Sequence, residues 1–114
     1  MKFTMQNGGV PAGNYQVVFV GAEAFGDASS EYGPGVLLKW RVTTGEHDGA
    51  EPRRIVSAKL SPKSNLFKFV SALKGSKPES GEEIDLESFS GTKGMAIVAE
   101  TESGSTRVET FLKT

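Results

Sequence analysis

The chain has 114 residues, 37% of them hydrophobic, with 14 glycines and no cysteine. That is enough for one domain with its own core, and it excludes a disulfide framework or a zinc knuckle. The formal net charge is −1, and the opening MKFTMQNGGVPAG lacks an apolar run long enough for a signal peptide or a membrane span, so a cytoplasmic protein with no membrane partner is expected.

Residues 1–13 are Gly-rich and polar and read as a flexible lead-in, with the domain over 14–114. From Asn14 the run NYQVVFVGAEAFG is rich in β-branched and aromatic residues and predicts a first strand. Tyr15, Val17 and Phe19 share one face; Val18, Val20 and Ala22 share the other, as suits a strand buried from two sides. Gly21, in mid-strand, marks a bulge or sharp bend. The loop GDASSEYGPG follows, and then GVLLKWRVT, whose alternation is clean. Val36, Leu38, Trp40 and Val42 form its core face, and Leu37, Lys39, Arg41 and Thr43 point away.

A turn at TGEHDGAEP leads to RRIVSAKL, a third strand with Val56, Ala58 and Leu60 as its inward set, although Ile55 leaves that register open. Ser61-Pro62 has the form of an N-cap followed by proline at the first helical position. Leu66, Phe67, Phe69, Val70 and Leu73 then recur at helical spacing, and Gly75 supplies a stop. The predicted helix covers 62–74, with Lys63, Lys68 and Lys74 on its exposed side. Residues 75–91 form a polar connection anchored by Ile84, Leu86 and Phe89. KGMAIVAETE and TRVETFLK complete the set as fourth and fifth strands, joined by the hairpin Glu102-Ser103-Gly104-Ser105.

The order is β-β-β-α-β-β. Five short strands cannot shield two apolar faces unless the sheet curls. Closure removes the edges and lets the helix plug one end, so the expected fold is all-β with one helix: a five-stranded barrel of the OB type. Motifs along the chain fit this. The segments PAGNYQV at 11–17, LLKWRV at 37–42, GEHDG at 45–49 and GTKGMAIV at 91–98 resemble those of small phage- and prophage-associated OB-fold proteins that are single-strand-binding-like. With the helix, the resemblance spans roughly 11–113. It implies the fold first, and single-stranded nucleic acid, DNA in particular, as the partner in phage-type replication or recombination. Bacterial single-strand-binding proteins end in an acidic tail that recruits partners. Here Phe111-Leu112-Lys113-Thr114 follow directly on the fifth strand, so tail-mediated recruitment is not expected.

Charge is unevenly spread along the chain. Residues 39–77 hold nine Lys/Arg against three acids, and residues 79–109 hold eight acids against two bases. OB folds bind ligands on the outer face of strands two and three, beside the β1–β2 and β4–β5 loops. On that face the sequence places Lys39 and Arg41, with Arg53 and Lys59 on or beside strand three. Cations two residues apart on a strand can track successive phosphates, while Tyr32, and Phe25 with it, can stack on bases. The bland alternative is that these cations only solvate an outer face.

Trp40, Phe67, Phe69, Tyr15 and Phe19 are assigned to core packing instead. The acidic run Glu82, Glu83, Asp85 and Glu87 lacks the spacing and central glycine of a calcium loop. His47 has no neighbours that would complete a triad or a metal set. Gly91-Thr92-Lys93 has no upstream phosphate-loop spacing. No catalytic residue, metal or cofactor is therefore expected. The leading expectation is a non-enzymatic, sequence-tolerant binder of single-stranded DNA, with homo-oligomers left open. The alternatives are an OB-fold protein-interaction module that does not touch nucleic acid and, more weakly, an oligosaccharide binder.

Overall fold

The longest strand organises the sheet. In the computed structural model, which describes residues 10–25, 34–58, 60–102 and 104–114, β1 (Gly13–Phe25) pairs antiparallel with two neighbours. Its first half, residues 13–18, pairs with β4 (Lys93–Glu100), and residues 17–25 pair with β2 (Gly35–Val42). β3 (Arg53–Ser57) adds outside β2, and β5 (Thr106–Lys113) adds outside β4. The result is one five-stranded antiparallel sheet in the order β3-β2-β1-β4-β5. The helix α1 (Asn65–Lys74) packs on β5 and β3, and a short 3-10 turn at Leu86–Phe89 lies against β1.

A bulge explains how β1 serves both partners. Phe19 pairs with Trp40 and Gly21 with Lys39, leaving Val20 as the extra residue. One added residue reverses the alternation. Ala22 therefore packs against the core with Phe19, not on the opposite face with Val18 as the simple alternation implies. A second bulge in β5 sits between the pairs Ile97–Thr110 and Val98–Val108, with Glu109 as the extra residue. It lets Val108 and Phe111 both face inward despite their odd spacing.

The core is continuous: Val17, Phe19, Leu38, Trp40, Val42, Val56, Ala96, Val98, Val108 and Phe111 from the strands meet Leu66, Phe69, Val70 and Leu73 from α1. Trp40 has no exposed surface. Its ring centroid lies 5.4 Å from Phe19, 5.6 Å from Phe69 and 5.8 Å from Phe111, within the usual range for favourable aromatic pairs. Core assignment therefore holds for Trp40, Phe19 and Phe69; Tyr15 is half-buried against the core, and Phe67 is half-buried without joining it. Val10, at the end of the lead-in, is buried as well, and its carbonyl accepts a 2.7 Å hydrogen bond from Thr106 Oγ1.

The helix begins later than Ser61-Pro62 suggests. Ser64 is the N-cap, its Oγ accepting from the Phe67 amide at 3.1 Å while also donating to the Ser61 carbonyl at 2.9 Å. Ser61–Ser64 is thus a turn that precedes the helix. Gly75 ends α1 at φ 88°, donating its amide to the Ser71 carbonyl, as predicted. β3 also stops early: Ala58 and Leu60 are exposed beyond its end, and Arg54 joins Val56 on the inward face.

The sheet was expected to close by strand pairing, but among the described residues no backbone ladder joins β3 to β5. Side chains span that seam instead. Arg54, buried on β3, donates from Nη1 to the Val108 carbonyl at 3.3 Å and to Glu109 Oε2 at 3.2 Å on β5. The same carboxylate oxygen lies 3.4 Å from Arg107 Nε. The guanidinium also sits 5.7 Å over the Phe69 ring. Burial, reinforced by the Arg107 charge, pushes the Arg54 guanidinium below its ordinary value, and Glu109 opposes that shift.

Removing only one partner strands a buried charge, whereas an apolar side chain of similar size does not. Glu109→Gln is therefore expected to cost about 1–2 kcal/mol, its half-exposed carboxylate tempering the loss. Arg54→Met should be neutral to within about 1 kcal/mol. Urea midpoints of the two variants check this, and a more costly Arg54→Met would show that the seam depends on the charge itself.

Candidate nucleic-acid interface

Anchoring one face of β2 in the core fixes what the other presents. Because Leu38, Trp40 and Val42 are fully buried, Lys39 and Arg41 must project outward. Lys39 is the cross-strand partner of Arg53, and Leu37 of Ile55. Three of the predicted site residues, Lys39, Arg41 and Arg53, therefore share one outward surface. Lys59, Tyr32 and the Phe25 side chain lie outside the described residues.

The surface holds carboxylates too. Lys39 Nζ lies 2.6 Å from Glu23 Oε1, and Arg41 Nη2 lies 3.4 Å from Glu51 Oε2. Sequence reasoning missed Glu23. Only after the Val20 bulge is counted does it come to face outward, as the cross-strand partner of Leu37, which is itself buried although its parity points it away from the core. Such exposed pairs contribute about 0–1 kcal/mol, so a phosphate can replace the carboxylate at little cost. They do lower the positive potential of the face.

The same surface continues across β1. Val18 pairs with Arg41 on one side and with Lys93 on the other. On β4, Gly94, Ala96 and Val98 are buried, so Lys93, Met95 and Ile97 face outward. The alternation of KGMAIV contained this signal. Beside Lys93 runs an open groove of about 540 Å³ lined by residues that include Gln16, Thr43, Met95 and Thr114. It adjoins a second of about 380 Å³ near Asn14 and His47. The His47 ring meets Tyr15 edge-on at 5.7 Å, and the Tyr15 hydroxyl donates to the Pro11 carbonyl at 2.6 Å.

Several other charged groups do structural work. Arg54 belongs to the seam. Lys74 Nζ lies 2.8 Å from both carboxylate oxygens of Glu82, one of which also accepts from the Glu79 amide at 2.9 Å. That backbone bond, then Lys74, holds the Glu82 carboxyl below its usual value. Asp85 caps the 3-10 turn by accepting from the Glu87 amide. Through Arg54–Glu109 and Lys74–Glu82 the basic and acidic segments interleave in space. No group of three His, Asp or Glu side chains that could hold a metal ion occurs among the described residues, and no helix there is long and apolar enough to cross a membrane. No protein-family model, curated protein or solved structure matches this chain.

Proposed function

We propose that this chain is an OB-type, non-enzymatic binder of single-stranded DNA that engages the phosphate backbone through the outward face of β2 and β3, with little sequence preference. The observation that carries the reading is the juxtaposition of Lys39 and Arg53 across adjacent strands, with Arg41 one row further along the same face. Lys59 and Tyr32 are assigned to the same interface on the sequence alone. The OB reading draws support from the long bulged β1 shared by β2 and β4, and from the helix packed where β3 and β5 approach. Phage-type replication or recombination is the setting that the sequence resemblance implies.

The test is fluorescence anisotropy of a labelled oligo-dT of about 30 nucleotides at low and moderate salt, because released counterions make phosphate binding salt-sensitive. Lys39→Glu/Arg41→Glu should weaken binding about ten-fold or more at low salt, for all sequences alike. Equal binding by the double variant and the wild type would remove this face from consideration.

One observation favours a second reading, an interaction module without nucleic-acid binding. Lys39 and Arg41 already have carboxylate partners within the chain, while Ile55 and Leu112 are about half exposed. That reading predicts no salt-sensitive oligonucleotide binding at all.

A further inference from the structure

We infer that the nucleic-acid track continues across β1 onto β4, where Lys93 supplies a further cation and the adjoining groove receives a base. This rests on the proposed single-strand binding and extends it to a part of the sheet that the β2–β3 reading does not use. The register makes the connection. Arg41, Val18 and Lys93 occupy one transverse row on three neighbouring strands. At the usual strand spacing the two cations are about 10 Å apart at Cα, a gap their long side chains can narrow. Val18 between them carries no charge, so no side chain between the two cations repels a phosphate.

Lys93 is better placed for an anion than Lys39 or Arg41. It is exposed and makes no ion pair with any described residue. Its main chain is held on both sides: Lys93 pairs with Val18, and its carbonyl accepts from the Thr114 amide at 3.1 Å and hydroxyl at 3.4 Å.

The chemistry of the groove suits a base next to that phosphate. Gln16 offers an amide with donors and an acceptor, Thr43, Thr44 and Thr114 offer hydroxyls, and Met95 offers a polarizable apolar surface. Among the described residues, no Asp or Glu side chain lines this groove of about 540 Å³. A volume of this size lies within the range of small-ligand clefts. Mixed amide and hydroxyl groups can pair with any base edge, in keeping with a sequence-tolerant partner.

The experiment is a salt titration of oligo-dT anisotropy with wild type, Lys93→Gln, Lys39→Glu/Arg41→Glu and, as an off-track control, Lys68→Gln on α1, with circular dichroism to verify folding. Removing one phosphate contact from a single strand should reduce the slope of log K against log salt by about 0.7. Lys93→Gln is expected to show that reduction, and Lys68→Gln to keep the wild-type slope. Gln16→Ala should weaken oligo-dT about five-fold and leave an abasic oligonucleotide unaffected. A wild-type slope for Lys93→Gln alongside weakened Lys39→Glu/Arg41→Glu would end the track at β2, overturning the inference while the proposed function stands. An equal loss in Lys68→Gln would reduce Lys93 to general charge and overturn it too. Absence of salt-sensitive binding by the wild type would overturn the proposed function and the extension together.

Discussion

Gly94→Ala is expected to destabilise the protein by about 3 kcal/mol or more, at or beyond the upper end of overpacking costs. A Cβ at this position would lie 2.3 Å from the Leu112 carbonyl oxygen and 2.6 Å from Phe111 Cζ. The first contact is backbone, so a side-chain rotation cannot relieve it. The second is a ring wedged against Trp40. Gly94 sits between Val17 on β1 and Lys113 on β5, so relief requires β4 and β5 to separate. At about 4–8 °C per kcal/mol for a domain near this size, the midpoint of thermal unfolding should fall by roughly 12–24 °C. A shift of only a few degrees would mean that β5 can slide without loss, contrary to this packing.

The second large effect is at Trp40. Trp40→Ala should cost about 3–5 kcal/mol, as for other large-to-small changes in closed cores. That is a substantial part of the roughly 5–15 kcal/mol that stabilises a typical domain. Trp40→Phe should be much milder, near 1–2 kcal/mol. The indole Nε1 is buried and has no hydrogen-bond acceptor among the described residues, and removing an unpaired donor offsets part of the lost packing. Urea denaturation followed by circular dichroism separates the two. Equal costs for both variants would show that the indole N–H is satisfied after all.

Much of the sheet was legible because alternation is a local property. Val36, Leu38, Trp40 and Val42 could be assigned to the core by counting in twos, and KGMAIV and TRVETFLK could be placed as strands in the same way. Counting fails where a residue is inserted. The bulges at Val20 and Glu109 reverse the alternation: the first puts Ala22 and Glu23 on faces that simple parity does not give, and the second turns both Val108 and Phe111 inward. The helix start was misplaced by three residues because Ser61 and Ser64 are both chemically fit to cap, and only the turn between them decides which one does.

The site was legible to the same depth. Lys39 and Arg41 follow from the pattern of one strand, and their adjacency to Arg53 needed only neighbouring strands to pair. Glu23 and Glu51 come to this surface through a bulge and cross-strand register, which no local pattern encodes; the outward parity of Lys93 is written in KGMAIV, but its place beside Val18 and Arg41 is not. The seam is the plainest case: parity with Val56 turns Arg54 inward, but nothing in RRIV says that it reaches Val108 and Glu109 on β5.

The double role of β1 also bears on the order in which the chain can be completed. Pairing with β2 is local, but Gly13 must find Val98 and Val18 must find Lys93, and distant partners of this kind slow folding. As the chain emerges during synthesis, the β1–β2–β3 meander can assemble while residues 13–18 still await β4, leaving an open strand edge. Asn14 and Gln16, polar and exposed on that stretch, act there as gatekeepers that discourage capture by another chain.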